Sequence, residues 1–172
     1  LVGRRNVHHN VATARHDQDN GTARGAVQRE LHVEELLAPR RAVPGRAVIA
    51  SNQVEYSLLS RAVEAETIPA AQALGMGILP WSPLGRGVLT GKYRTGTPAD
   101  SRAASAHFSS FVGRHLTERS HRIVEAVVRA GEGLAWTPLE VALAWVRDRP
   151  GVTAPIVGAR TAEQLKAALT VE

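Results

Sequence analysis

At 172 residues the chain is long enough for one domain with a sizeable core, and no apolar stretch in it has the length that crosses a bilayer. The absence of cysteine excludes disulfides and thiolate chemistry, and the chain does not start with the charged-then-apolar pattern of a secretory signal. We therefore expect a cytoplasmic protein with no membrane partner.

The net charge of +5 comes almost entirely from arginine, because Lys92 and Lys166 are the only lysines. A basic balance suggests a nucleic-acid partner. The arginines are spread along the whole chain, however, and there are only three Trp, two Tyr and two Phe residues available to stack on bases. A nucleic-acid-binding protein is therefore the least favoured interpretation, and no nucleic-acid partner is expected.

Composition divides the chain near Arg46. Residues 1–46 contain no aromatic residue, and only residues 33–38 look like a helical turn or two. Because so few large apolar groups cannot offset the entropy of ordering, we predict that residues 1–46 are loosely structured or disordered. Residues 47–172 then form the domain.

Regular elements follow in chain order. The apolar run from Arg46 to Ser51 predicts a buried strand that carries Asn52 and Gln53 at its C-terminal end. A helix is predicted over residues 64–74, ended by Gly75, and a second strand over residues 77–81. Strand, helix and strand in this order are typical of a parallel sheet.

The second half of the domain repeats this alternation. A helix is predicted over residues 116–130, and Thr137-Pro138-Leu139-Glu140 begins another with a capping box. A third strand is predicted over residues 152–157, followed by a helix from Thr161. The sequence therefore predicts an α/β fold with a parallel sheet.

The loop Gly158-Ala159-Arg160-Thr161 is a candidate anion site. Its small residues allow close approach of the backbone, the following helix offers free N–H groups, and Arg160 adds a charged fork. A plain capped strand-to-helix loop with a solvated arginine explains the same residues equally well.

Three motifs resemble the aldo-keto reductase family. Residues 78–93, ILPWSPLGRGVLTGKY, are similar to its strand-seven signature, residues 52–56, NQVEY, to its strand-six motif, and residues 154–161, APIVGART, to its strand-eight motif. The intervals match as well, and Gly91-Lys92-Tyr93 is typical of the bacterial and potassium-channel β-subunit branches. The resemblance implies that the domain is the C-terminal portion, about strands 6 to 8, of a TIM (β/α)8 barrel with an irregular N-terminal segment.

The resemblance also implies a nicotinamide cofactor, NADP(H). Gln53, beside Asn52, would hydrogen-bond the nicotinamide carboxamide, and Trp81 would stack on the nicotinamide ring. Fixed positive charge near the ribose favours NADP over NAD. The pyrophosphate would run along Ser82, Pro83, Leu84, Gly85 and Arg86, with Arg86 as its charge partner, and the adenosine end would lie among Lys92, Arg102, Gly158, Arg160 and Gln164.

One departure concerns the adenine site. The family usually closes it with a Glu-Asn pair one turn after Gln164, where this chain has Ala167-Ala168. Loss of that pair is expected to weaken adenine recognition by about 1 to 3 kcal/mol.

The family's catalytic residues are not found in the chain. They are an Asp, a Tyr acting as general acid, a Lys and a His, all from the first half of the barrel. The first tyrosine here is Tyr56, and His8-His9 lie too close to Asn52 to match the family's strand-four histidine. We therefore assign no catalytic residue and no metal site, and a small carbonyl substrate is expected only where the barrel is completed.

Residues 1–46 suggest why the first half of the barrel is missing. If Glu30-Leu31-His32 were encoded GAA-CTT-CAC, a shift of one base would give Asn-Phe-Thr, similar to the Ser-Asn-Phe of the family's strand five. One hypothesis is therefore that this segment is an out-of-frame reading from a pseudogene or a sequencing error.

Two functional interpretations follow from the resemblance. The first is an aldo-keto reductase fragment that carries the cofactor-binding half of an NADPH-dependent oxidoreductase. The second is a non-enzymatic NADPH-binding or regulatory module, or an inactive pseudogene product. Three strands on their own would leave sheet edges unpaired, which predicts self-association.

Overall fold

The computed structural model describes residues 44–45, 49–99, 101–105 and 109–171, without the side chain of Arg102. The predictions made for residues 1–43, including the out-of-frame hypothesis and His8-His9, lie outside the described residues. Within the described part, two parallel strands and five α-helices confirm the α/β class with a small parallel sheet. No helix in this part is long and apolar enough to span a membrane.

The sheet consists of β1, Ser51–Glu55, and β2, Gly77–Trp81. β2 has the predicted bounds. β1 begins where the predicted strand ended, because pairing starts with Ser51 opposite Gly77 and runs to Glu55 opposite Trp81. The prediction was therefore wrong for residues 49–50, which precede the strand, while residues 46–48 lie outside the described residues. Asn52 and Gln53 lie within β1 rather than after it.

The helix between the two strands is shorter than predicted. A 3₁₀ turn spans Ala62–Glu64, and helix α1, Thr67–Ala73, follows as a separate element. Pro69 accounts for the break, because proline fits the first turn of a helix but would remove a hydrogen bond and clash in the interior of a helix begun at Glu64. The predicted stop is confirmed, since Gly75 has a left-handed φ of 62°.

The third predicted strand, residues 152–157, forms only two isolated parallel bridges to β2, Val152 opposite Ile78 and Ile156 opposite Trp81. The backbone N–H of Thr153 donates to the carbonyl of Ile78, and that of Ile156 donates to the carbonyl of Pro80. Between these bonds, Pro80 and Pro155 lack the N–H groups that a continuous ladder would use. The prediction of an unbroken strand was therefore wrong, although the segment lies beside β2.

Four further helices complete the described chain, and each of the last three begins at a threonine whose hydroxyl accepts a backbone N–H: Thr117, Thr137 and Thr161. The capping box of Thr137 with Glu140 is confirmed. The helix predicted over residues 116–130 begins later and runs longer. The four helices are α2, Ser109–Gly113; α3, Glu118–Leu134; α4, Pro138–Arg147; and α5, Ala162–Leu169.

Two apolar clusters form the core, and α4 contributes to both through Ala142 and Val146. One lies between β2, α1 and α4, where Ile78 is fully buried. The other joins the 3₁₀ segment Gly85–Thr90 to α3 and α4. Helices α1 and α4 therefore cover the face of the sheet that carries Ile78.

Candidate functional site

The two faces of the small sheet have different surroundings. Ile78 and Pro80 of β2 are buried on the helix-covered face. Gln53 pairs with Leu79 and Glu55 with Trp81, so these four side chains share the opposite face. On that face Gln53 is exposed and Trp81 is half-buried. They occupy diagonal positions, because Gln53 lies opposite Leu79, two residues before Trp81.

Asn52 and Gln53 are separated by the pleat, because successive side chains of a strand point to opposite faces. Asn52 is the register partner of Ile78 and lies on the helix-covered side. Gln53 is therefore the member of the pair that shares a face with Trp81. The cofactor contact assigned to Asn52 stays a prediction.

The loop leaving β2 has an unusual backbone. Ser82 and Arg86 have left-handed φ angles of 52° and 61°, although neither is glycine, and Gly85 and Gly87 have φ angles of 54° and 88°. This conformation has an unfavourable free energy for non-glycine residues. It persists only where the surrounding structure holds it, often at functional sites. Pro83 is buried and Leu84 half-buried. A Cβ at position 85 would also lie 2.7 Å from Cδ1 of Leu59, so that side chain would have to shift.

Arg86 is enclosed rather than exposed. Its residue exposure is 4 %. Nη2 lies 2.8 and 2.9 Å from the two carboxylate oxygens of Glu55, and Nη1 donates to the carbonyl of Phe111. The guanidinium also stacks 3.5 Å from the ring centre of Phe111, and His115 lies 3.2 Å from Glu55. We refer to Glu55, Arg86, Phe111 and His115 as the Arg86 cluster.

The charge state of the Arg86 cluster is set within it. Burial alone raises the pKa of Glu55, but the hydrogen bond to His115 and the charge of Arg86 outweigh this and hold the pKa below its ordinary value. Glu55 is thus kept as a carboxylate at neutral pH. The assignment of Arg86 to a pyrophosphate stays a prediction.

The other members of the Arg86 cluster were not among the residues predicted from the sequence. Glu55 stands two residues after Gln53 in a strand, which puts it on the same face, and this spacing could have marked it. Phe111 and His115 carry no comparable signal, because they come from a helix and a turn far along the chain. They reach Glu55 only through the tertiary fold.

Lys92 lies over the same loop. A Cβ added at Gly87 would come 3.1 Å from Nζ of Lys92, and Nζ lies 5.1 Å from the ring centre of Tyr93. The backbone of Arg102 belongs to a short 3₁₀ turn. Lys92 is therefore near the loop after β2, while the contact assigned to Arg102 stays a prediction.

A second loop leaves from the same edge of the sheet. The bridge between Trp81 and Ile156 sets the start of residues 157–161 beside the end of β2. The backbone N–H of Arg160 donates to Oε1 of Gln164 at 2.9 Å, and Gly158 has open space where a Cβ would be. Ligand sites in parallel sheets form where such loops leave the carboxyl ends of neighbouring strands.

The hydroxyls of the two tyrosines, Tyr56 and Tyr93, have different surroundings. The hydroxyl of Tyr56 donates to Glu64 at 2.7 Å, and burial together with this bond raises the pKa of Tyr56. The hydroxyl of Tyr93 is buried. Among the described residues, no group of three or more His, Asp or Glu side chains could hold a metal ion.

Comparison with known proteins gives a consistent family. The model of the aldo/keto reductase family matches residues 37–172. The chain is 38% identical over 148 residues to "Protein tas" of Escherichia coli (strain K12), a match that covers 86% of this chain and 40% of that protein.

Two further relatives match over shorter ranges. An "Uncharacterized oxidoreductase YrpG" of Bacillus subtilis (strain 168) is 37% identical over 69% of this chain and 34% of its own. A "Probable voltage-gated potassium channel subunit beta" of Oryza sativa subsp. japonica is 38% identical over 66% of this chain and 35% of its own. The chain thus spans between 34% and 40% of the length of these three relatives. The family match and these identities show that the chain belongs to the aldo/keto reductase family.

Proposed function

We propose that this chain is the NADP(H)-binding half of an aldo/keto reductase-type oxidoreductase, corresponding to the last three strands of a TIM barrel. The observation that carries the proposal is that Gln53 and Trp81 share one face of the sheet at diagonal positions, with Gln53 exposed and Trp81 half-buried. A side-chain amide can both donate to and accept from a carboxamide, and an indole offers a flat apolar face.

The surroundings of this pair fit a long anionic cofactor. The turn at Ser82–Gly87 and the capped loop at Gly158–Gln164 leave from the same edge of the sheet. Lys92 and Arg160 add positive charge to these two loops, which suits a phosphorylated ribose. When bound, NADPH would supply hydride to an aldehyde or ketone, while this chain's residues hold and orient it.

The test is a titration of the chain with NADPH, followed by tryptophan fluorescence. Binding should quench the wild-type emission, and Trp81→Phe should lose most of that quenching. Trp136→Phe is the matched control, because Trp136 is 46 % exposed and follows the C-terminal end of α3. A folded wild-type chain whose emission does not respond to NADPH would sink the proposal, and NADH should bind more weakly.

A second candidate is a non-enzymatic NADPH-binding module. It is favoured by the surroundings of the two tyrosine hydroxyls. That of Tyr56 donates to Glu64 and that of Tyr93 is buried, so neither is an evident general acid in the described part. The two candidates differ in one measurement. Binding of NADPH without aldehyde-dependent oxidation would favour the module, and oxidation in step with added aldehyde would favour the enzyme.

We also propose that the chain associates with itself through its sheet edges. In the described sheet, β1 and the segment 152–156 each pair on one side with β2. Ladder groups on their outer sides are suited to pairing with another strand. Light scattering coupled to size exclusion would show a concentration-dependent mass, and a single monomer mass at all concentrations would contradict self-association.

A further inference from the structure

The enclosure of Arg86 bears on what its side chain does. Only 1 % of the side chain is exposed, and Nη1 and Nη2 are both bonded within the protein, to Phe111 and Glu55. The flat side of the guanidinium is occupied by the ring of Phe111. A cofactor phosphate could reach this group only if the loop opened and the pair with Glu55 broke.

The backbone at Arg86 has a left-handed conformation that the enclosed side chain can hold in place. Gly85, Arg86 and Gly87 are three consecutive residues in the left-handed region, and Arg86 is the one with a side chain that opposes that conformation. The turn is closed by bonds from the N–H groups of Gly87 and Leu89 to the carbonyl of Leu84. An interaction that fixes the side chain of Arg86 therefore also fixes the strained turn.

The other end of that interaction lies beside the proposed site. Glu55 is the register partner of Trp81, so the carboxylate that holds Arg86 comes from the strand position next to the indole. His115 holds the same carboxylate from the segment after α2. The Arg86 cluster thus connects the turn, the end of β1 and the α2 region at one point.

We propose that Arg86 is a positioning residue: through Glu55 and Phe111 it fixes the turn at residues 82–87 beside Trp81, and it does not present its charge to the cofactor. The identity of the ligand rests on the proposed function. The role of Arg86 in fixing the turn, which we call the mechanical part, does not rest on the proposed function, because it concerns the backbone of the turn in the free protein.

Hydrogen exchange of the free chain tests the mechanical part. Glu55→Gln and Arg86→Lys should each speed exchange at the amides of Gly85, Gly87 and Leu89 by about tenfold or more, with exchange in α4 unchanged. Glu125→Gln is the matched control, because it removes an exposed arginine–carboxylate pair, Arg94 with Glu125, that includes no residue of the turn. Unchanged exchange at the turn in both cluster variants would overturn the proposal.

A second variant covers failure to fold. Phe111→Leu keeps the ion pair of Arg86 with Glu55 and removes the stacked ring. It too should speed exchange at the turn, by a smaller factor than Glu55→Gln. Turn amides as slow as in the wild type would count against the proposal.

NADPH affinity then separates positioning from direct contact. If Arg86 bound a phosphate directly, Glu55→Gln would leave the affinity equal or higher, and Arg86→Lys would largely retain it, because lysine also binds phosphate as a point charge. Positioning predicts that each single variant weakens NADPH binding by about tenfold. The double variant should bind NADPH as well as the single variant with the lower affinity, because both changes break the same interaction. Tighter binding by Glu55→Gln would overturn the proposal.

The two ideas fail in different ways. A wild-type chain that does not bind NADPH rejects the proposed function, and the exchange rates of the free chain still decide the role of Arg86. A wild-type chain that binds NADPH while the cluster variants exchange normally rejects the positioning role alone.

Discussion

The Nε2 atom of His115 lies 3.2 Å from Oε1 of Glu55. Together with the charge of Arg86, this contact outweighs the effect of burial and holds the pKa of Glu55 below the ordinary 4.5. The folded protein therefore keeps the carboxylate charged at pH values where the unfolded chain has taken up a proton. Its contribution to stability is present above about pH 4.5 and is lost as the pH falls through the folded pKa.

We expect Glu55→Gln to lower the melting temperature at pH 7 and to flatten its fall between about pH 5 and pH 3, because this variant has no carboxylate to protonate at position 55. Thermal unfolding followed by circular dichroism over that range measures both effects. Glu118→Gln is the control, since the side chain of Glu118 is 92% exposed and lies 3.8 Å from Arg122. Parallel pH profiles for wild type and Glu55→Gln would contradict the prediction.

The cap of α4 should matter more than the cap of α5. Both begin at a threonine whose hydroxyl accepts a backbone N–H, but α4 buries four residues and α5 buries none. Thr137→Ala should therefore reduce the free energy of unfolding by about 1 kcal/mol, the usual effect of losing such a cap. Urea unfolding measures it.

Thr161→Ala is the matched variant for this prediction. It removes the same bond from a helix that adds little to the core, so we expect fraying of α5 and a change in global stability of less than about 0.5 kcal/mol. Equal losses in the two variants would mean that α5 folds in one cooperative unit with the core.

Local signals were sufficient for several elements. Gly77–Trp81 was predicted with its observed bounds because Gly75 ends the preceding helix and Ser82-Pro83 ends the strand. The start of α4 was predicted because its capping box, Thr137 with Glu140, is contained in four successive residues. Interactions this local can be read without knowing the fold.

Elements set by pairing could not be read in that way. The bounds of β1 depend on where Gly77 begins β2, and the apolar run before Ser51 does not show that pairing extends from Ser51 to Glu55. The segment 152–157 has a strand-like composition. The missing N–H groups of Pro80 and Pro155 interrupt the ladder only because the two segments lie side by side. Neither fact is visible within a single segment.

The candidate site shows the same division. Gln53 and Trp81 were identified from a motif, and the register brings them to one face. The motif could not show that Asn52 lies on the other face. Nor could it show that Arg86 meets Glu55 and Phe111, because those contacts join residues 31 and 25 positions apart in the chain.

Two glycines of α3 should respond in opposite ways to alanine. Gly131 is buried, and a Cβ there would lie 2.5 Å from the carbonyl oxygen of Trp136, a backbone atom that cannot move without disturbing the start of α4. Gly133 has nothing within 4 Å of the same point. Gly131→Ala should therefore reduce the free energy of unfolding by about 1 to 3 kcal/mol, the usual cost of overpacking.

Gly133→Ala should raise the free energy of unfolding by about 0.5 to 1 kcal/mol, because alanine loses less entropy than glycine in a helix. Urea unfolding of the two variants and the wild type measures both changes under one set of conditions. The carbonyl of Gly131 also accepts the N–H of Trp136 at 2.8 Å, so the turn that joins α3 to α4 has little freedom to yield. If Gly131→Ala proved as stable as Gly133→Ala, the turn would have to shift easily to accommodate the added Cβ. The close approach of α3 to residue 136 would then not constrain position 131.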